Sequence, residues 1–381
     1  MKVCSKAFLA PIHSWSIHLN ILRRLKELGH EVHLDSTNGY EQFPLDLKEN
    51  IKCIQCSDDK TRDEKNCTLD SYYDLGISYT FCHHWKNYLS RAKVKFAVYN
   101  IDSDTLPVGA AKSHVYTDLV LPTSNFSKNT FIKACIPKDK LIVLPHSYRD
   151  EYITRTNTID INTDRKYKVL VNLQQLHRRK GITSVLDSFG KAFTNKDDVV
   201  MIAKVKIKKP EAPFEVFFPD ELKKFKLKYP NHAPIIVFTD FIDYISDLYR
   251  SVDIVFSASN VEAFLLPALE GIVSKKIVIA SGGDTGCGNV DYMKDNVNSL
   301  LIKGNRVRMP TEYQYWTPCR TAAMFQPDTN HAAELLRYAV SNYDELKAKF
   351  DPGMNETIKN YSTENVTNQI LNLYKQCSNQ S

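Results

Sequence analysis

The stretch Ser257-Ala-Ser-Asn-Val-Glu262-Ala-Phe-Leu-Leu-Pro267-Ala-Leu-Glu270-Gly271 follows directly on the apolar run Ile254 to Phe256, which has the composition of a buried strand. Pro267 suits the first turn of a helix, because its φ is preset and its missing N–H is one that a first turn leaves unpaired anyway. Ala263 to Leu266 then form the loop whose N–H groups lie beside the helix's positive end, a seat for an anion such as pyrophosphate. Glu262 precedes that helix and Glu270 falls within its first turns, so both can face one bound molecule from opposite ends. Carboxylates accept paired hydroxyls well, one set on a sugar and one on a ribose. On this stretch alone the plain alternative stays open, with Glu270 near the positive end of an ordinary helix and Glu262 merely solvated.

The same strand-to-helix alternation recurs along the chain. Val3 to Ala10 reads as a strand, Pro11 to Ser16 as a polar loop, and Ile17, Ile21, Leu22, Leu25 and Leu28 as one face of a helix that Gly29 ends before a second strand, Val32 to Leu34. Such a β-α-β unit implies a right-handed crossover and a parallel sheet. Phe96 to Tyr99, Leu119 to Pro122 and Leu141 to Leu144 read as further buried strands, with a helix at Lys128 to Ala134. Periodicity lapses from Arg149 to Arg165, as in a linker. A second series follows: strand Val169 to Asn172, a helix with Ile182, Val185, Leu186, Phe189 and Phe193 on one face, and strands Val199 to Ala203, Ile235 to Phe238, Ile254 to Ser257 and Ile277 to Ala280. Glu356 to Gln376 reads as a closing helix. The expected domains are 1–155, 156–355 and a helix within 356–381.

Length and composition fit this plan. At 381 residues the chain exceeds what one core usually serves. A formal charge of +6 suits a pyrophosphate-bearing ligand or an anionic surface and falls short of a nucleic-acid binder. The longest apolar run, Ile254 to Val273, is interrupted by Asn260, Glu262 and Glu270, so no membrane span is expected, and a peripheral membrane contact stays open. Nine cysteines spread over the chain, and a start without a continuous apolar stretch, point to a reduced, cytoplasmic protein.

With these residues in place the chain resembles the retaining glycosyltransferases of family 4, whose GT-B fold sets two Rossmann-like α/β domains facing across a cleft, with a C-terminal helix returning toward the first. Glu262 and Glu270 stand in that family's E-x7-E pattern. Val278 to Ser281, then Gly282-Gly283, then Asp295 to Leu301, look like its strand, loop and following segment, and Lys180-Gly181-Ile182 resembles its phosphate-binding K-G motif. Leu121-Pro-Thr-Ser124 and the stretch from Leu144 to Tyr152 resemble the last strands of its first domain. The resemblance implies a hexose transfer from a GDP- or UDP-sugar to an acceptor hydroxyl, on a glycan, by a monomer that needs no metal or other cofactor. It gives Glu262 the donor-sugar hydroxyls, Glu270 the ribose and Lys180 the pyrophosphate, with Phe264, Leu265 and Leu266 along the donor. Attack on the departing group's own face would follow, the leaving phosphate oxygen taking the acceptor's proton.

The chain departs from the family at several places. Gln175 stands where the family carries Arg, five residues before Lys180, and Arg178 or Arg179 is expected to supply that charge. The family's Gly-Phe-Gly-Leu becomes Ala263-Phe264-Leu265-Leu266, its glycine pair after the first strand becomes Ser14-Trp15-Ser16 on the acceptor side, and its Gly-x-Gly-Pro becomes the basic run Lys204 to Lys209, read as a solvated loop. No histidine aligns at Tyr99 to Asp102. His13, His18, His83 and His84 each read as surface residues, and His146, at a strand's carboxyl end, is the favoured cleft histidine. Asp102-Ser103-Asp104 matches a metal-holding D-x-D pattern, but its place at a strand's end assigns it to an acceptor. Cys53, Cys56, Cys67 and Cys82-His83-His84 read as structural, not as zinc or redox groups. Two further readings compete: a catalytically silent sugar-nucleotide-binding module, and an epimerase or phosphorylase on the same architecture.

Overall fold

The computed structural model describes residues 1–7, 17–36, 52–54, 72–80, 82, 85–106, 109–173, 176–207, 209–283, 286–313 and 321–379. The chain divides into two compact units. One holds Met1–Ile101, Leu106–Arg149 and Tyr361–Ser381; the other holds Asp102–Thr105 and Asp150–Asn360. The change-overs at 149/150 and 360/361 stand against sequence-read limits of 155/156 and 355/356.

Among the described residues the first unit is a parallel sheet of β1 (Lys2–Ala7), β2 (Glu31–Ser36), β3 (Lys52–Ile54), β4 (Tyr73–Tyr79), β5 (Ala92–Tyr99) and β6 (Leu119–Pro122), in the order β3-β2-β1-β4-β5-β6. Helix α1 (Ile17–Glu27) lays Leu19, Ile21, Leu22 and Leu25 into the core, and α2 (Asn125–Lys133) starts at Ser124, whose side chain accepts the Ser127 N–H. Three expectations need correction here. Leu141 to Leu144 is no full strand: Ile142 and Leu144 donate to the carbonyls of Val120 and Pro122, but the pairing shrinks to a bridge at Leu141. Pro122 has no N–H with which to continue it. His18 is buried and stacks on Tyr79 at 4.3 Å, so it is not a surface residue. The closing helix is two helices, Tyr343–Asn360 and Thr363–Ser378, because Ser362 caps a new start by accepting the Asn365 N–H. Val366, Ile370 and Leu373 of the last helix join the α1 core of the first unit. Burying each such side chain contributes roughly 1.5–3 kcal/mol, which holds the chain's end in place.

The second unit repeats the winding. Its parallel strands β7 (Tyr167–Leu173), β8 (Val199–Val205), β9 (Ile235–Phe238), β10 (Ile254–Ser257), β11 (Ile277–Ser281) and β12 (Leu300–Ile302) lie in the order β12-β11-β10-β7-β8-β9. Read from its other edge, this is the Rossmann order of the first unit. The winding reverses between β7 and β10, and a crevice at the carboxyl ends of two such strands is where doubly wound sheets bind ligands. Helix α3 (Ile182–Ala192) follows β7, and α4 (Leu266–Val273) follows β10. An antiparallel pair that the sequence does not announce, β13 (Gly304–Arg308) and β14 (Ala323–Pro327), completes the unit.

The expected linker is docked, not loose. Arg155 makes a two-pronged contact with Asp247 at 3.0 and 2.8 Å, and the Ile159 N–H donates to Ser251 at 2.7 Å. The basic run also begins inside the fold: Lys204 belongs to β8, is buried, and donates to the Asp240 carbonyl at 2.5 Å. Among the described residues no helix is long and apolar enough to cross a membrane.

Candidate active site

Two loops meet where the second sheet reverses. The one after β7 forms a short turn, Arg178–Lys180, and the one after β10 carries Val261 to Leu265 into α4. Gly181 lets them meet. It sits at φ 65°, and a Cβ there would lie 1.9 Å from the Ala258 carbonyl oxygen, so only glycine fits between the turn and the end of β10. Asn260 donates its N–H to the Arg179 carbonyl at 2.7 Å, tying the two loops directly.

This contact brings four charges together. Lys180 Nζ lies 2.6 Å from Glu262 Oε1, Arg179 lies 3.1 Å from Glu262 Oε2, and Arg179 also lies 2.8 Å from Asp102. The other Asp102 oxygen accepts the Ala263 N–H at 2.8 Å. The side chains of Glu262, Arg179 and Lys180 are only 6, 11 and 16% exposed. Such a network is held by mutual neutralisation, and removing one member leaves a buried charge uncompensated. Burial lowers the Lys180 pKa below the ordinary lysine range, with Arg179 adding to the fall and Glu262 and Asp102 opposing it. A lysine in that state gains from any further anion brought beside it.

His177 builds the turn that presents these cations. Its Nδ1 accepts the Arg179 N–H at 3.1 Å, and its ring stacks on Phe214 at 4.8 Å. Burial, reinforced by Arg179 and Lys180, pushes its pKa down to about 3, so the ring is neutral near pH 7. An accepting Nδ1 then places the ring proton on Nε2.

The mouth of α4 has an unusual entrance. Leu265 precedes the helix at φ 59°, ψ 63°, the left-handed region that glycine enters freely and leucine does not. The Tyr292 hydroxyl lies 2.6 Å from the Leu265 carbonyl and 2.9 Å from that of Phe264, and the rings of Phe264 and Tyr292 pack 5.1 Å apart. Upstream, the Glu262 N–H donates to Gly286 at 2.6 Å and the Gly288 N–H to the Glu262 carbonyl at 2.8 Å. The segment from Gly286 to Tyr292 thus laces the loop at both ends.

The sequence-predicted residues fall into three groups. Glu262, Lys180 and Arg179 come together, with Phe264 and Leu265 buried in the adjoining loop, Leu266 opening α4, and Glu270 buried one turn into it. Arg178 instead donates to the Pro213 carbonyl at 2.8 Å, which leaves Arg179 as the cation beside Glu262. Asp102 was expected on the acceptor side; its carboxylate is engaged by Arg179 and Ala263 of the second unit, and Asp104 accepts the Ala323 N–H at 2.9 Å. His146 lies in the first unit, where burial pushes its pKa down to about 4. Gln175, Ser14, Trp15, Ser16, His13, His83, His84, Cys56 and Cys67 lie outside the described residues. Among the described residues no three His, Cys, Asp or Glu side chains form a group able to hold a metal. His177, Asn260 and Tyr292 were not anticipated; His177 alone carried a signal, three positions before Lys180, while Gly286 belongs to the glycine-rich loop Gly282 to Gly288 that the sequence offers as a lining of the phosphate site.

Residues 154–312, the part that holds Lys180 and Glu262, match the family described as Glycosyl transferases group 1. The chain is 22% identical over 307 residues to Uncharacterized protein 356 of Sulfolobus islandicus rod-shaped virus 1, across 77% of this chain and 80% of that protein. Its fold is similar to a glycosyltransferase from Rickettsia africae ESF-5, with TM-score 0.72, 18% identity and coverage of 100% of this chain and 99% of that one. It is equally similar to Anabaena HepE in complex with UDP and glucose, with TM-score 0.73, 12% identity and coverage of 99% and 100%. The fold is GT-B, and the matched segment with its structural neighbours supports a glycosyltransferase.

Proposed function

We propose that the chain is a retaining glycosyltransferase that moves a hexose from a nucleoside-diphosphate sugar to an acceptor hydroxyl of a glycan. The observation that carries this reading is the buried Lys180–Glu262–Arg179 group at the sheet's switch point, beside the entrance of α4. A diphosphate arriving there competes with Glu262 for Lys180 and Arg179. Drawing the cations away leaves the carboxylate to accept donor-sugar hydroxyls, while Glu270 takes the ribose. As the bond from the anomeric carbon to the phosphate oxygen breaks, charge grows on the diphosphate, and Lys180, Arg179 and the mouth of α4 stabilise it. The acceptor oxygen bonds to the anomeric carbon on the same face and passes its proton to the leaving phosphate oxygen.

This reading needs no metal or other cofactor and describes a cytoplasmic monomer. HepE was solved with UDP, which favours uridine donors as the first to try, ahead of GDP-sugars. The experiment is a panel of UDP- and GDP-hexoses, screened by thermal shift and then assayed for transfer to glycan acceptors. Proton NMR of the first-turnover product should show the donor's anomeric configuration preserved. An inverted linkage would reject the mechanism, and binding without transfer or hydrolysis would make the chain a silent binding module.

A further inference from the structure

We propose that Tyr292 is a positioning residue of the donor site, a role that rests on the glycosyltransferase reading above. In a trans peptide the C=O and N–H point in opposite directions. The Tyr292 hydroxyl sits within hydrogen-bond distance of two consecutive carbonyls, Phe264 at 2.9 Å and Leu265 at 2.6 Å. The N–H groups of those same two peptides belong to Leu265 and Leu266, and both are therefore aimed away from Tyr292. Successive N–H groups gathered to one side around a left-handed residue form an anion-binding concavity, here at the positive end of α4.

Leucine does not hold that conformation unaided. A flip of the Phe264–Leu265 peptide would take φ of Leu265 out of the left-handed region, and a flip of either peptide would turn a carbonyl toward the incoming anion. Tyr292 opposes this from a rigid base. Its N–H donates to the Asn289 carbonyl at 3.1 Å and its own carbonyl accepts from Asn298 at 2.7 Å; Asn289 in turn donates to Ser281 at 2.9 Å. The ring is buried against Phe264, so the hydroxyl can be removed without removing the packing. Where the related pattern has a glycine in this loop, the chain has a leucine and a tyrosine that clamps it.

Tyr292→Phe, Leu265→Gly and the double variant test the proposal by amide hydrogen exchange and by titration with UDP and GDP. Tyr292→Phe should speed exchange at Leu265 and Leu266 and weaken nucleotide binding on the order of tenfold, the scale of one lost hydrogen bond. In the Leu265→Gly background the same change should cost less than about threefold, because glycine enters the left-handed region unaided. Unchanged exchange in Tyr292→Phe would overturn the clamp. Faster exchange with unchanged affinity, or an equal loss in both backgrounds, would reduce Tyr292 to a packing residue and overturn the proposal. A wild-type chain that takes up neither nucleotide refutes the donor reading itself, and the wild type alone reports that outcome.

Discussion

After β7 the chain enters α3 through Gly181 at φ 65°, and after the neighbouring β10 it enters α4 through Leu265 at φ 59°. The backbone solution is the same and the residues are opposites. At 181 the loops approach so closely that a Cβ would strike the Ala258 carbonyl, so glycine is required by space as well as by conformation. At 265 there is room, and the leucine side chain is only 4% exposed. Holding a non-glycine residue left-handed costs about 1–2 kcal/mol, while burying a leucine gains roughly 1.5–3 kcal/mol. The burial outweighs the strain, and the Tyr292 hydroxyl adds a hydrogen bond. A left-handed position therefore demands glycine only where something occupies the place of the side chain.

Substitution at the two positions should break this symmetry. The largest effect is expected for Gly181→Ala, where the clash is with backbone that cannot step aside. Denaturant unfolding should show a loss on the order of 3 kcal/mol together with loss of nucleotide binding. Near-normal stability would mean that the two loops do not meet as described. The smaller effect distinguishes Leu265→Gly from Leu265→Ala. Both lose the buried side chain, but alanine keeps the left-handed penalty, so the glycine variant should be the more stable by about 1 kcal/mol. The opposite ranking, which is usual where φ is negative, would contradict a left-handed Leu265.

The second unit was the more legible half of the sequence. Most strands of its parallel sheet are built on apolar runs, its helix α3 carries a clear stripe, and Pro267 marks the start of α4 to within one residue. Glu262 is legible from local chemistry, because it lies where a strand gives way to a helix, and Lys180 from the resemblance of Lys180-Gly181-Ile182 to a phosphate-binding motif. The first unit hid its central strand β4, in which Asp74, Gly76 and Ser78 alternate with Leu75 and Ile77. Gly76 and Ser78 are buried there, and Asp74 accepts the Lys2 N–H at 2.8 Å, so the polar positions serve the sheet instead of facing water. The strand β13, Gly-Asn-Arg-Val-Arg, has a half-exposed pattern that no apolar run announces.

The partners of the site were harder to read than its charges. Tyr292 lies 27 positions beyond Leu265, and Asp102 reaches Ala263 across 161 positions; no spacing rule connects such residues. Arg178 and Arg179 are equivalent in sequence. Only the turn capped by His177 separates them, sending one to the Pro213 carbonyl and the other to Glu262. What a sequence lacks here is the direction of side chains that leave a common loop.

The account depends on Glu262 being shared between Lys180 and Arg179 until a diphosphate competes for them. Glu262→Gln tests this most directly, with UDP affinity measured by calorimetry and hexose transfer measured on the same preparation. Transfer should fall by ~10²-fold or more, the loss expected when a group that positions the reacting sugar is removed. UDP affinity should be retained or raised, because Lys180 loses the carboxylate that holds it and Arg179 keeps only Asp102. Transfer at the wild-type rate, or loss of UDP binding in a variant that remains folded, would contradict it.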